Sequence, residues 1–135
     1  MAIIYDSRVQ EGFTYTPVDQ RGDKNPFSVT IKPIASRDMI KLQDNLLQRD
    51  NEDKISLKTG TYNLKACKLG IVNWSGILDK DSVEIQMKKD FDGYISDSSL
   101  DIIPTRYFDE IAGVIIHVSQ DPKAIDTYLE TPAKK

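Results

Sequence analysis

The residues able to do chemistry are few. The chain has one histidine, His117, and one cysteine, Cys67. A Ser/His or Cys/His nucleophilic pair would have to use that histidine. His117 falls near the C-terminal end of an amphipathic stretch, where a partly charged imidazole is favourable against the helix dipole. Cys67 falls on an apolar face, where a free thiol usually behaves as a small hydrophobe. One histidine and one cysteine cannot supply a zinc site with the usual four nitrogen or sulfur ligands. The run Asp79-Lys80-Asp81-Ser82-Val83-Glu84 matches the first half of a calcium loop, but that loop needs glycine at its sixth position and glutamate at its twelfth. Glu84 and Asp90 stand there, which favours a plain acidic turn. Asp109 and Glu110 are adjacent and do not share a helix face. The seven glycines are isolated, so there is no Gly-rich phosphate loop. The expectation is a non-enzymatic chain that needs no cofactor or metal and acts by binding another protein.

Bulk composition agrees with a binding module. The 135 residues suit one domain. At that length roughly two thirds of the unfolded surface can be buried, enough for a real core without staples. Net charge is -3, and the lysines are scattered among acids. No single-sign block steers a polyanion, so no nucleic-acid partner is expected. No apolar run approaches the ~18 residues of a membrane span, and the start of the chain lacks the pattern of a secretory signal. One cysteine gives no sign of secretion and suits a reducing cytoplasm.

The elements that must position any site follow from periodicity. Residues 1–25 read as an extended N-terminal arm: Phe13 and Tyr15 alternate with polar neighbours, while Pro17, Gly22 and Pro26 break longer elements. Such an arm lies on a partner, or forms a short edge strand on its own domain. Residues 26–120 read as the globular domain. Phe27, Val29 and Ile31 alternate with polar residues as a half-buried strand, ended by Pro33. Ser36 is placed to cap a helix carrying Met39, Ile40, Leu42, Leu46 and Leu47 on one arc and running to about Arg49. Leu64, Cys67, Ile71 and Trp74 have the three-and-four spacing of a further helix, although Ile71 and Val72 also suit a strand. Asp79–Ser82 are turn formers, so residues 74–87 predict a small hairpin. Phe91 and Tyr94 read as apolar anchors of a polar, turn-rich stretch. The clearest helix starts near Thr105, with Tyr107, Phe108, Ile111, Ala112, Val114, Ile115 and Val118 in a broad apolar arc central to the core. Residues 121–135 read as a C-terminal tail. The fold class is α+β: two or three helices and short antiparallel strands in a small single domain, with a mainly α core as the alternative.

Four segments together carry a resemblance. They are Asn25 through Leu47, Val72-Asn73-Trp74-Ser75-Gly76-Ile77, the turn Asp79 to Ile85, and Leu100 to Ser119 with its Ile102-Ile103-Pro104 lead-in. Over roughly residues 25–120 the chain resembles small tail proteins of long-tailed bacteriophages, most closely the tail assembly chaperones. That group often has a tryptophan-glycine stretch, an acidic turn with glycine, and a final apolar helix; here Ser82 stands where glycine is usual. The resemblance implies a non-enzymatic protein of the host cytoplasm that binds the tape measure protein or tail tube subunits during assembly. The alternative is a structural virion component of the tail, connector or baseplate. Either reading admits self-association into a homo-oligomer. Trp74 is the first candidate anchor for a partner, because tryptophan is enriched at interface hot spots; its competing role is a core residue. Phe13 and Tyr15, on the arm, are the other candidates.

Overall fold

The structure, a computed structural model, describes residues 11–44, 47–49, 55–57 and 59–129. Three strands form an antiparallel sheet in the order β1-β2-β5: β1 is Phe13–Tyr15, β2 is Ser28–Ile31 and β5 is Ile71–Ser75. A separate antiparallel pair joins β3, Leu47–Arg49, to β4, Ile55–Leu57. The helices are α1, Ser36–Asp44; α2, Thr59–Gly70; α3, Asp97–Leu100; α4, Phe108–Gln120; and α5, Ile125–Leu129. This is a small α+β domain, as the alternating and helical periods together imply.

The sheet register explains its hydrophobic face. Phe13 pairs with Ile31 and Tyr15 with Val29; across β2, Val29 pairs with Trp74 and Ile31 with Ile71. All six side chains are buried. Thr30 pairs with Asn73, so Val72 is an extra residue in β5, and the register shifts there. This bulge puts Ile71 and Trp74, three apart, on one face. The same spacing mimics a helix in sequence, and the expected helix over 61–75 is therefore half right. It is helical to Gly70 and extended afterwards.

Helix α4 supplies the other side of the core with Ile111, Ala112, Val114, Ile115 and Val118, all buried. It packs against α2, with Ala66 and Cys67 fully buried between the elements of the core. At the end of α2 the contact is tight. A Cβ on Gly70 would lie 2.5 Å from Ile115 Cγ2, so only glycine fits there without movement.

One expectation is corrected and two are narrowed. Helix α1 ends at Asp44, not near Arg49, because Leu47–Arg49 is drawn into pairing with Ile55–Leu57, and pairing overrides local helix propensity. Its Ile40 is exposed, Leu46 lies outside the described residues, and the cap sits one residue earlier than Ser36: the Ala35 carbonyl accepts from Met39 N–H at 2.9 Å. Of the two readings of the N-terminal arm, its described part, residues 11–25, follows the second: β1 is a short edge strand of the domain's own sheet. The tail's short apolar cluster, with Ala124, Ile125 and Tyr128, docks residues 121–129 on the domain. Ala124 and Ile125 are buried, and the Tyr128 ring packs against Phe13 and Tyr15 at centroid distances of 6.4 and 5.8 Å.

Candidate functional site

The sequence-predicted anchors are all internal. Phe13, Tyr15 and Trp74 are each only 6% exposed. Trp74 Nε1–H donates to the Ile85 carbonyl at 2.7 Å, tying the sheet to the expected hairpin region, where Leu78 and Glu84 form a single antiparallel bridge. Tyr15 donates its hydroxyl proton to Glu110 Oε2, which also accepts from Val18 N–H at 3.0 Å. Burial, and then that bond to Glu110, push the Tyr15 phenol well above the usual tyrosine range. A second latch lies beside it. Tyr107 Oη accepts from Gln20 Nε2 and from Arg106 Nη2, both at 2.9 Å, and donates to Asp19 Oδ2 at 3.2 Å. Phe27 packs on Tyr107 at 5.4 Å between centroids. These three rings hold the fold and offer no free face to a partner.

The candidate chemical groups are likewise engaged locally. His117 is exposed, with Nδ1 2.7 Å from Tyr128 Oη, so its partner is neither a serine nor a cysteine. Burial pushes the Cys67 thiol up to about 12, and its Sγ faces the Phe108 carbonyl at 3.7 Å. A thiol so raised carries little thiolate at neutral pH. Asp79 Oδ1 accepts from Asp81 N–H and Val83 N–H at 2.8 and 3.1 Å, closing its own turn. Ser82 stands in that turn at φ +62°, the left-handed conformation that glycine adopts most readily. Among the described residues, no group of three or more His, Cys, Asp or Glu could hold a metal ion.

Three surface features stand out instead. The first is a cleft of 580 Å³ lined by residues that include Thr30, Lys32, Ile34, Asp38, Val72 and Tyr94. It lies over the outer face of the sheet, between the start of α1 and the segment 89–94. Asp38 accepts from Tyr94 Oη at 3.4 Å; burial first, then the Asp38 charge, raise that phenol's pKa. Ile34, Leu69 and Val72 give the cleft an apolar part, and Lys32, Asn73 and Lys89 a polar one.

The second feature is Phe91, whose ring is wholly in solvent at 106% relative exposure. The expectation that it anchors its segment is therefore wrong, whereas Tyr94 is half-buried, with its hydroxyl bonded to Asp38 in the wall of the cleft. Phe91 sits in a tight turn: Gly93 N–H donates to Asp90 O at 2.9 Å, Asp90 N–H to Tyr94 O at 2.8 Å. Gly93 adopts φ +88° to make that turn. Beneath it, Lys68 Nζ reaches Asp90 Oδ2 at 3.3 Å, Asp97 Oδ1 at 3.2 Å and the Ile95 carbonyl at 2.9 Å. Desolvation opposes the Lys68 charge, but the bonds to Asp97 and Asp90 together outweigh it and raise its pKa. The third feature is a groove of 330 Å³ lined by Leu64, Lys65, Lys68, Asp97, Leu100 and Asp101. Sequence periodicity signals none of the three, because each depends on which segments the fold brings together.

Comparison with known protein families, characterised proteins and solved structures finds no match for this chain. Among the described residues, no helix is long and apolar enough to cross a membrane.

Proposed function

We propose that this chain is a non-enzymatic assembly protein of a long-tailed bacteriophage, acting in the host cytoplasm by binding the tape measure or tail tube protein. The resemblance over residues 25–120 supplies the setting. The observation that supports binding is the 580 Å³ cleft on the outer face of the sheet. Small-molecule sites are usually enclosed and mostly apolar. This cleft is open and mixed, with an apolar strip of Ile34, Leu69 and Val72 beside Lys32 and Lys89. Such a strip suits one face of an amphipathic polypeptide segment, of the kind that long tape measure helices expose before tube subunits cover them.

The alternative, a structural virion component of the tail, connector or baseplate, drew on an arm lacing neighbouring subunits together. Residues 11–25 are folded into the domain and lend it no such support. Tagged chain purified from infected cells tests the reading. The parent is expected to capture a tail protein, and Val72→Arg, which sets a charge in the cleft, to lose at least about tenfold of that capture, since a charge forced into an apolar contact costs more than 1.4 kcal/mol. Equal capture by the two chains, or none by the parent, overturns it. Mass spectrometry of finished particles separates the alternatives: an assembly factor is absent from them and a virion component is present.

A further inference from the structure

The turn that carries Phe91 and the 330 Å³ groove share a residue. Lys68 lines the groove and, through the same ammonium, holds Asp90 of the turn and Asp97 of the groove rim. Knob and hole are therefore neighbours on one face. Phe91 does not fill its own groove, because its ring is fully exposed. The turn is also fixed from both sides: Lys88 N–H donates to Ser99 Oγ at 2.9 Å, Ser96 N–H to Lys88 O at 2.9 Å, and Tyr94 N–H to Asp92 Oδ1 at 3.0 Å. A ring held on such a turn loses little freedom when it is bound.

We propose that the chain self-associates as a two-fold dimer in which each Phe91 seats in the groove of the second copy, between Leu64 and Leu100. Two observations select a second copy as the occupant. A two-fold contact needs a self-complementary patch, where one residue meets another and the reverse holds across the axis. Adjacent knob and hole meet that need. Opposite charges are also available across the axis: Asp92 follows the ring in sequence and Lys65 lines the groove, while Lys88 precedes the ring and Asp97 and Asp101 line the groove; Asp90, the other neighbour of Phe91, is already paired with its own Lys68. Leu64 is 46% exposed and so has apolar surface still to bury, while Leu100 is buried and forms a floor. One phenyl ring buries roughly 150–250 Å². Two such contacts fall short of a standard interface, so the dimer is weak and concentration-dependent.

Sedimentation velocity on the purified full chain, from about 5 µM to about 1 mM, spans the range expected of a small interface. The parent is expected to shift from monomer to dimer across it. Phe91→Ser and Leu64→Lys should each weaken dimerisation by about 30-fold or more, the effect of losing a hot spot. Both sites are exposed, and circular dichroism with a melting curve confirms that each variant folds. The decisive sample is an equimolar mixture of the two variants. One partner then keeps its ring and the other its groove, so one of the two contacts is restored, and the mixture associates more strongly than either variant alone. A parent that stays monomeric, a variant that dimerises like the parent, or a mixture no stronger than its components overturns the proposal. The test uses no phage protein, so its result stands apart from that of the cleft.

Discussion

Two aromatic-bearing segments of this chain, residues 13–27 and residues 88–96, look alike in composition and have opposite fates. Each is short, rich in turn formers and interleaved with charge. In the first, Phe13 and Tyr15 are buried; in the second, Phe91 stands in solvent. What differs is where the polar groups bond. In the first segment they reach across the chain: Tyr15 and Val18 to Glu110, Asp19 and Gln20 to Tyr107. Those bonds draw the segment over α4 and close its rings in. In the second, the bonds beside Phe91 return to their own turn, with Asp90 O taking Gly93 N–H and Asp92 taking Tyr94 N–H, while Lys68 braces the base; other bonds that leave the segment, such as Lys88 N–H to Ser99 and Tyr94 Oη to Asp38, do not involve the residues next to the ring. A turn that satisfies itself leaves its aromatic free. The direction of its neighbours' hydrogen bonds, more than an aromatic's own hydrophobicity, decides whether it serves the core or a partner.

Truncating one ring in each segment is the strongest way to break this comparison. Phe13→Ala removes a buried ring and is expected to cost about 3–5 kcal/mol in denaturant unfolding. A cost near zero would mean that β1 does not hold the sheet. Next in size is Tyr15→Phe, which keeps the ring and removes the bond to Glu110; about 1–2 kcal/mol should be lost at neutral pH. The same variant carries a pH signature. The folded Tyr15 pKa is raised above its unfolded value near 10, so the neutral phenol contributes stability that is present below about pH 10 and lost as pH rises towards the folded pKa. Tyr15→Phe should lose less stability than the parent between about pH 10 and 11, measured by urea unfolding at each pH. The smallest effect belongs to the second segment. Phe91→Ser should change unfolding stability by less than about 0.5 kcal/mol, the usual range for a surface site. A larger loss would place the ring in the fold.

Part of this was legible from residue order. The helix from Phe108 has an apolar arc broad enough to predict a core position, and β2 shows plain alternation closed by Pro33. The candidate site was not legible. Trp74, Phe13 and Tyr15 stand out by residue type, but type does not say on which side of a sheet a ring falls. In β5 the bulge at Val72 gives Ile71 and Trp74 a helix-like spacing, and only pairing with β2 reveals the extra residue. The end of α1 was misplaced for a related reason, since β3 owes its extended form to β4.

Returning to the single histidine and single cysteine, the sequence by itself determined that the chain cannot supply four nitrogen or sulfur ligands to zinc and has no Gly-rich phosphate loop, because residue counts and spacings are fixed before folding. It also favoured the α+β class over a mainly α core, through two distinct hydrophobic periods, and the three-stranded sheet decided between them. Only the tertiary structure decided that His117 bonds Tyr128, that burial raises the Cys67 thiol, and that Phe91 rather than Trp74 faces solvent. Those outcomes depend on contacts between residues far apart in the chain, and no local period encodes them.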